Sequence, residues 1–223
     1  DFKLAGPNDN IDEGWKLIKE KVTLEKPTSM GLCLGCHHTG FERVYDGVKV
    51  RGIQYDMENS LLDAVEHYKK LCELHHFEPK LKTVDTPFID TASLDPDYDK
   101  ENPGVLASAA ASILMKVLYS ARLARFDLLK AITNLASRIT KWTQRCDKQL
   151  ERLMSYIHTT ASTMKLEGYI GDDPKNLKLE LFADADFASD LETRKSTSEL
   201  FLALVGPHSF FPLTAISKKQ TAV

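Results

Sequence analysis

The sequence predicts an α+β protein, because helical and strand-like patterns dominate different stretches of the chain. Apolar residues recur every three or four positions through most of residues 105 to 160, and they alternate with polar residues beyond residue 176. The 223 residues, of which 43% are hydrophobic, suffice for one large core or two small ones. We therefore expect a globular protein.

Composition argues against several protein classes. No apolar run approaches the roughly 20 residues of a membrane helix, and the first residues lack a signal segment. Four cysteines do not form a disulfide framework in a chain this long. We expect a soluble intracellular protein, cytoplasmic or nuclear, with reduced thiols and no membrane partner. The lack of Met at position 1 and an end in mid-pattern predict that both termini were cut from something longer.

The first 55 residues predict a helix followed by strands. Asp9 or Asn10 is placed to cap a helix over residues 9 to 22. Residues 30 to 55 predict short strands, with glycines at the turns. The apolar helix face consists of Ile11, Trp15, Ile18 and Val22, and the turn glycines are Gly40, Gly47 and Gly52.

A second helix is predicted to begin at Ser60 and Asp63, which have the spacing of a capping box, and to end before Pro79. Its apolar face consists of Leu61, Val65, Tyr68 and Cys72. Residues 85 to 101 contain six acidic residues and one lysine, with prolines in or beside them. This composition is typical of a linker or surface loop.

Three further helices and three strands complete the expected fold. The apolar faces of the helices are Ile113, Val117, Leu118 and Ala121; Leu128, Ile132, Leu135, Ile139 and Trp142; and Leu150, Leu153, Met154 and Ile157. The first strand alternates around Leu179, Leu181 and Ala183. Residues 200 to 205 and 209 to 216 are expected to pair with it as antiparallel strands, with a turn near Gly206.

Positive charge is concentrated in one region. The whole chain carries a net charge of −3, whereas residues 116 to 152 carry a local charge of +6. Within this region Arg138, Lys141, Arg145 and Lys148 follow at spacings of three, four and three. If the segment is one helix, these four residues form a basic stripe able to contact phosphates. A merely solvated helix face is the alternative.

A zinc-like pattern is also present. Cys33 and Cys36 are three residues apart, as are Cys72 and His75. If residues 31 to 36 are a strand, Cys33 and Cys36 point to opposite faces, and chelation would need a tight knuckle instead. Buried thiols and surface histidines are the default interpretation. A small zinc-stabilised domain remains one hypothesis.

The most specific motif is the segment ADADFASDLETRKSTS at residues 183 to 198, followed by SKKQT at residues 217 to 221. It resembles the start of the ribonuclease H of copia-type retrotransposons, where Asp-Ala-Asp-Trp-Ala precedes Arg-Lys-Ser-Thr-Ser-Gly and a later Ser-Lys-Lys-Gln. Phe187 replaces the usual Trp. Glu199 replaces the usual Gly, which is expected to alter a turn.

Upstream segments extend the resemblance. LYSARLARFD at residues 118 to 127 and YIHTT at residues 156 to 160 are similar to the family's helical region, with its Leu-Met-Tyr, Thr-Arg-Pro-Asp and Tyr-Leu-Lys-Gly-Thr signatures. Leu34-Gly35 and Thr86-Pro87 fit further family segments in the expected order. In this register Asp1 matches the second Asp of the polymerase's Tyr-x-Asp-Asp turn.

The resemblance implies three units. Residues 1–90 would be the end of a reverse transcriptase palm and the following helix, 91–165 a helical thumb or connection segment, and 166–223 the beginning of a ribonuclease H-like domain. It implies Mg²⁺ as cofactor, with Asp184 and Asp1 as catalytic residues and Asp184, Asp186 and Asp1 as metal ligands. The implied partners are an RNA–DNA hybrid or primer–template and the rest of the Pol polyprotein.

Activity of the chain alone is not expected. The resemblance places the other carboxylates of both metal sites before Asp1 or after Val223, and one or two carboxylates cannot hold a pair of metal ions. A second hypothesis is therefore a non-catalytic nucleic-acid or protein-binding remnant of a decayed element.

Overall fold

The computed structural model describes residues 3–89, 103–186 and 195–221, and combines helices with one antiparallel sheet. The helices are α1 (Asn8–Lys19), α2 (Glu58–Leu74), α3 (Ala110–Ala124), α4 (Leu129–Ala136) and α5 (Gln144–Thr160). The strands are β1 (Leu32–Cys33), β2 (Cys36–Tyr45), β3 (Val48–Asp56), β4 (Leu166–Ile170), β5 (Lys178–Ala185), β6 (Thr197–Gly206) and β7 (Ser209–Lys219). In these ranges no helix combines the length and apolar character of a membrane span.

The strands form a seven-stranded sheet in the order β1-β2-β3-β4-β7-β6-β5. The three predicted C-terminal strands and the turn after Gly206 are confirmed: β6 pairs antiparallel with β5, and β7 pairs with β6 instead of directly with β5. Strand β4 was not predicted. It pairs with β3 on one side and meets β7 at Tyr169 and Phe210 on the other, so it links the N-terminal and C-terminal strands into one sheet.

The N-terminal hairpins correct the assignment of the glycines. Two-residue turns with positive φ lie at Leu34-Gly35 and at Asp46-Gly47, so of the three predicted turn glycines only Gly47 is in a turn. Gly40 and Gly52 lie inside the paired strands β2 and β3. At Gly52 a Cβ atom would lie 2.7 Å from the Gly168 carbonyl oxygen and would overlap the Phe41 ring. Close packing therefore requires this glycine.

Helices α2 to α5 enclose the main hydrophobic core. The predicted apolar faces of α2 and α5 are confirmed, and their residues are buried. The predicted cap of α2 is wrong. The helix begins at Glu58, whose N–H donates to Asp56 at 2.7 Å, and the Ser60 hydroxyl instead bonds the Ser120 hydroxyl at 2.9 Å. The hydrogen bond to Asp56 thus fixes where α2 begins, and the hydrogen bond to Ser120 fixes how α2 packs against α3.

The fourth predicted helix is shorter than its apolar period. Helix α4 ends at Ala136, a 3₁₀ turn covers Ile139–Lys141, and Trp142 is extended. Trp142 is 5% exposed, and its indole N–H donates to Asp147 at 2.7 Å. Asp147 also accepts the N–H groups of Val105 and Leu106, at 2.6 and 3.1 Å. A buried carboxylate thus holds three segments together and ends the helical run.

Helix α1 is confirmed near its predicted position but contributes no fully buried residue. It starts after Pro7, so Asp9 lies inside its first turn instead of capping it, and Val22 lies beyond its end. Its core-facing role is therefore smaller than the pattern predicted.

Candidate carboxylate site and basic segment

Asp184 lies near the end of β5, in a row of polar side chains that crosses three strands. It is opposite Glu199 of β6, and Glu199 is opposite Ser217 of β7. One carboxylate oxygen of Asp184 accepts the N–H of Ala185 at 2.9 Å, and the side chain is exposed. Cross-strand partners share a face, so two carboxylates stand side by side here.

This row lies at a groove of about 450 Å³ between the strands and the segment that begins α4. Phe126 packs against Phe201, with ring centroids 6.2 Å apart, and Phe201 against Phe182 at 6.0 Å. The polar part of the lining is Asp127, Lys130, Asp184, Glu199 and Ser217. Lys130 lies 3.4 Å from Glu199, so it partly neutralises the carboxylate beside Asp184.

Glu199 corrects one expectation. It lies within β6, where it pairs with Asp184 of β5, and it is not part of a turn. The residue that departs from the family pattern instead adds a carboxylate directly across from the predicted catalytic Asp184. Phe187, the other departure, lies outside the described residues.

Asp186 follows β5 and closes the end of the β5–β6 pair. Its N–H donates to the Thr197 carbonyl at 3.1 Å, and its carboxylate accepts the Thr197 N–H at 2.8 Å. Strand alternation is the basis for expecting Asp184 and Asp186 on the same face, and this stays a prediction because β5 ends at Ala185. Asp1 lies outside the described residues.

The fit to Mg²⁺ is incomplete. A pair of Mg²⁺ ions needs several clustered carboxylates. Among residues 3–89, 103–186 and 195–221 no group of three or more His, Cys, Asp or Glu side chains is placed to hold a metal ion. Among the described residues, Asp184 and Asp186 are therefore not part of a three-residue metal-binding group, and Mg²⁺ binding by them stays a prediction.

The zinc-like residues are also not assembled. Cys33 and Cys36 are direct cross-strand partners, because the turn at Leu34-Gly35 is the tight knuckle that chelation would need. Cys72, however, is buried in the helical core, and burial raises the pKa of its thiol to about 11. Burial also raises the pKa of Cys36. Raised pKa values disfavour the thiolates that bind zinc, and the part of the chain that the structure describes provides no three-residue metal cluster.

The predicted basic stripe is not one helix face. Arg138 and Lys141 lie in or beside the 3₁₀ turn, whereas Arg145 and Lys148 lie in the first turns of α5. Lys141 and Lys148 are exposed, but Arg138, Arg145 and Lys148 already interact with other groups of the chain. The helical continuity on which the stripe depended is therefore wrong, while phosphate contact by these residues stays a prediction.

Arg125, one of the cations counted in the local charge of +6, is buried. It is 2% exposed, and its guanidinium donates to the Asp127 carboxylate at 2.9 and 2.8 Å and to the Thr160 hydroxyl at 2.8 Å. It therefore joins the end of α3 to the end of α5. The cations Lys130 and Arg152 are also engaged, with Glu199 and with the Thr86 carbonyl. Of these contacts, only Lys130–Glu199 pairs a cation of the region with an acid from outside residues 116 to 152, so less than the full local charge of +6 is unpaired.

Comparisons of this chain with protein-family models, with curated proteins and with solved structures gave no match. Its function must therefore be inferred from its own residues.

Proposed function

We propose that this chain is part of a copia-type retrotransposon Pol polyprotein, comprising the end of the reverse transcriptase and the beginning of the ribonuclease H. The observation that carries the proposal is the contact between the two blocks of the most specific motif. Thr197 is paired with Lys219 and Ser198 with Lys218. The Gln220 side chain donates to the Ser198 hydroxyl at 2.8 Å, so residues 195–198 of the first block and 217–221 of the second form one local unit.

A second contact supports the same proposal. The helical signatures at residues 118 to 127 and 156 to 160 are separated by about thirty residues, yet Arg125 of the first donates to Thr160 of the second at 2.8 Å. Segments that belong to one family pattern are expected to contribute to the same local structure. Here the Arg125–Thr160 hydrogen bond fixes the ends of α3 and α5 relative to each other, beside the groove lined by Asp184.

In this proposal the chain supplies part of the ribonuclease H fold and some of the carboxylates that bind its Mg²⁺ ions. Asp184, with Asp186 on the same strand face, would contribute carboxylates to a Mg²⁺-dependent ribonuclease H that acts on RNA–DNA hybrids inside the cell. The remaining carboxylates would come from other parts of the polyprotein.

The test uses the adjoining reading frame, which we expect to encode Tyr-x-Asp before Asp1 and a Glu-bearing helix after Val223. The longer protein should cleave an RNA–DNA hybrid with Mg²⁺. Asp184→Asn should lower this activity at least about 100-fold, since it removes a metal-binding charge. Glu180→Gln is the matched control on the same exposed strand and should leave the activity unchanged. Equal activities of the wild type and Asp184→Asn would contradict the proposal.

A non-catalytic nucleic-acid-binding remnant is the second candidate. The observation that favours it is the Lys130–Glu199 contact, because a lysine already partly neutralises the carboxylate beside Asp184. The test is titration of the chain with a labelled RNA–DNA hybrid at several salt concentrations. With the four basic residues divided between two elements, we expect a slope of log affinity against log salt of only about −1 to −2.

The control replaces Arg138, Lys141, Arg145 and Lys148 by Gln. Equal binding by this variant and the wild type would remove these residues from the proposed contact surface.

A further inference from the structure

Strand β5 forms an exposed edge of the sheet. It is last in the strand order, and within the described residues no strand pairs with its outer side. All eight of its residues are exposed. Leu179 and Leu181 are 67% and 61% exposed, and Phe182 is 50% exposed. Natural proteins usually protect such an edge, because its unpaired backbone groups bind further strands.

The hydrogen bonds at the end of β5 show which backbone groups face outward. The Asp186 N–H donates to the Thr197 carbonyl of β6. Backbone groups of an antiparallel strand alternate in direction, so those of the even-numbered residues face β6. The N–H and C=O groups of Leu179, Leu181 and Ala183 therefore face away from the sheet. At the next outward position, the Ala185 N–H is bonded by the Asp184 carboxylate, which ends the available edge.

We propose that β5 pairs antiparallel with β5 of a second copy of this chain, about a two-fold axis at Leu181. In this register Leu181 is opposite Leu181 of the partner subunit, and Leu179 is opposite Ala183 of the partner subunit. The outward groups of these residues form about six backbone hydrogen bonds. Two seven-stranded sheets become one continuous sheet.

Charge complementarity selects this register. Lys178 is opposite Asp184 of the partner subunit, and the two-fold axis repeats the pair. Opposite charges on directly opposed strand residues stabilise a pair of strands, and like charges destabilise it. Lys178 also neighbours Glu180 on its own strand, so one cation balances two carboxylates. The residues whose backbone groups face outward, Leu179, Leu181 and Ala183, have apolar side chains. Pairing of the two strands therefore removes exposed leucine surface from water.

The interface is small and the dimer is expected to be weak. Eight residues on each side bury less than the roughly 1,200 Å² of a standard interface. This inference goes beyond the proposed function and does not rest on it.

The experiment is sedimentation velocity on the 223-residue chain, at concentrations from about 5 to 500 µM, the range in which weak dimers dissociate. The mean mass should rise from 25.1 kDa toward twice that value. Leu181→Pro should keep the protein monomeric, because it removes only an outward N–H and leaves the bonds to β6 intact. Leu74→Ser, at another exposed leucine, should not change dimerisation.

Charge reversal tests the register even if Leu181→Pro fails to fold. Lys178→Asp and Asp184→Lys should each weaken the dimer about tenfold, since each creates two like-charge pairs. The double variant should restore wild-type dimerisation. A monomer at every concentration would overturn the proposal. So would a dimer that both Leu181→Pro and the single charge reversals leave unchanged.

Discussion

Leucine side chains are buried in the helical core but exposed on strand β5. Leu153 of α5 is fully buried among α2 to α5, whereas Leu181 of β5 is 61% exposed. Regular apolar periodicity predicted both elements, although only the first is enclosed by neighbours. The helical core therefore holds the described fold together, while the exposed strand carries the predicted catalytic Asp184 and the edge that we propose to bind a second copy.

The largest effect is expected inside the helical core at Asp147. Asp147→Ala leaves the N–H groups of Val105, Leu106 and Trp142 without their acceptor. We expect the free energy of unfolding to fall by about 3–5 kcal/mol, since a buried carboxylate network is lost. Urea denaturation measures the change. Glu13→Ala, at an exposed side chain of α1, is the control. A loss below about 1 kcal/mol would mean that Asp147 does not hold these segments together.

A matched pair of leucine substitutions compares the two regions directly. Leu153→Ala should lower the free energy of unfolding by about 2–5 kcal/mol, because it opens a cavity in the core. Leu181→Ala should change it by less than about 0.5 kcal/mol, because its side chain is already in solvent. Denaturation at low protein concentration avoids any contribution from dimerisation. Similar losses of unfolding free energy for the two variants would show that the Leu181 side chain is buried, which would contradict the difference between the helical core and β5.

An ion-pair network at the junction of β3 and α2 should have a smaller effect. Lys165 donates to Asp56 at 2.7 Å and to Glu58 at 2.9 Å. Burial alone would lower the pKa of Lys165, but these bonds raise it. Burial alone would likewise raise the pKa of Asp56, but the bonds from Lys165 and the Glu58 N–H hold it below its ordinary value of 3.8. We expect Lys165→Met to cost about 1–2 kcal/mol at neutral pH.

The pH dependence follows from the directions of the two shifts. A depressed pKa means that the Asp56 contribution is complete above pH 3.8 and is lost as pH falls through its lower folded value. The raised pKa of Lys165 means that its contribution is complete below pH 10.5 and is lost above that value. The difference between wild type and Lys165→Met should therefore shrink only outside this window. A difference that changes between pH 6 and 8 would contradict this explanation.

The smallest effect is expected at Tyr68, which is fully buried on α2. Burial raises the pKa of its hydroxyl, whose neighbour is the weakly bonding thiol of Cys72. Tyr68→Phe removes this hydroxyl and keeps the ring, so the free energy of unfolding should change by less than about 1 kcal/mol. Thermal denaturation measures it. A loss above 2 kcal/mol would reveal a stronger partner for the hydroxyl.

Local pattern predicted the long elements and failed where a tertiary contact decides the structure. The apolar faces of α2 and α5 and the meander β5–β7 follow from periodicity alone. Strand β4 has only five residues, including a glycine, and its partners are distant in sequence. The end of α4 was missed because Ile139 and Trp142 continue the apolar period, although Asp147 fixes Trp142 outside a helix.

The candidate site was predictable only in part. The Asp-Ala-Asp strand indicated Asp184 and Asp186, and strand alternation is the reason to expect them on one face. The carboxylate of Glu199 was missed because the family pattern has a glycine there, and a glycine suggested a turn. Arg125 was included in the local charge of +6 without its burial being foreseen, because sequence alone does not reveal its contacts with Asp127 and Thr160.

The most direct test of the account is hybrid cleavage by the isolated 223-residue chain. Among the described residues, no group of three or more His, Cys, Asp or Glu side chains that could hold a metal ion includes Asp184 or Asp186. Purified chain and its Asp184→Asn variant are incubated with a labelled RNA–DNA hybrid and Mg²⁺, and the products are resolved on a denaturing gel. We predict equal, background-level signals for the two proteins. Cleavage by the wild type that Asp184→Asn abolishes would contradict the account, because it would require a complete site within this chain.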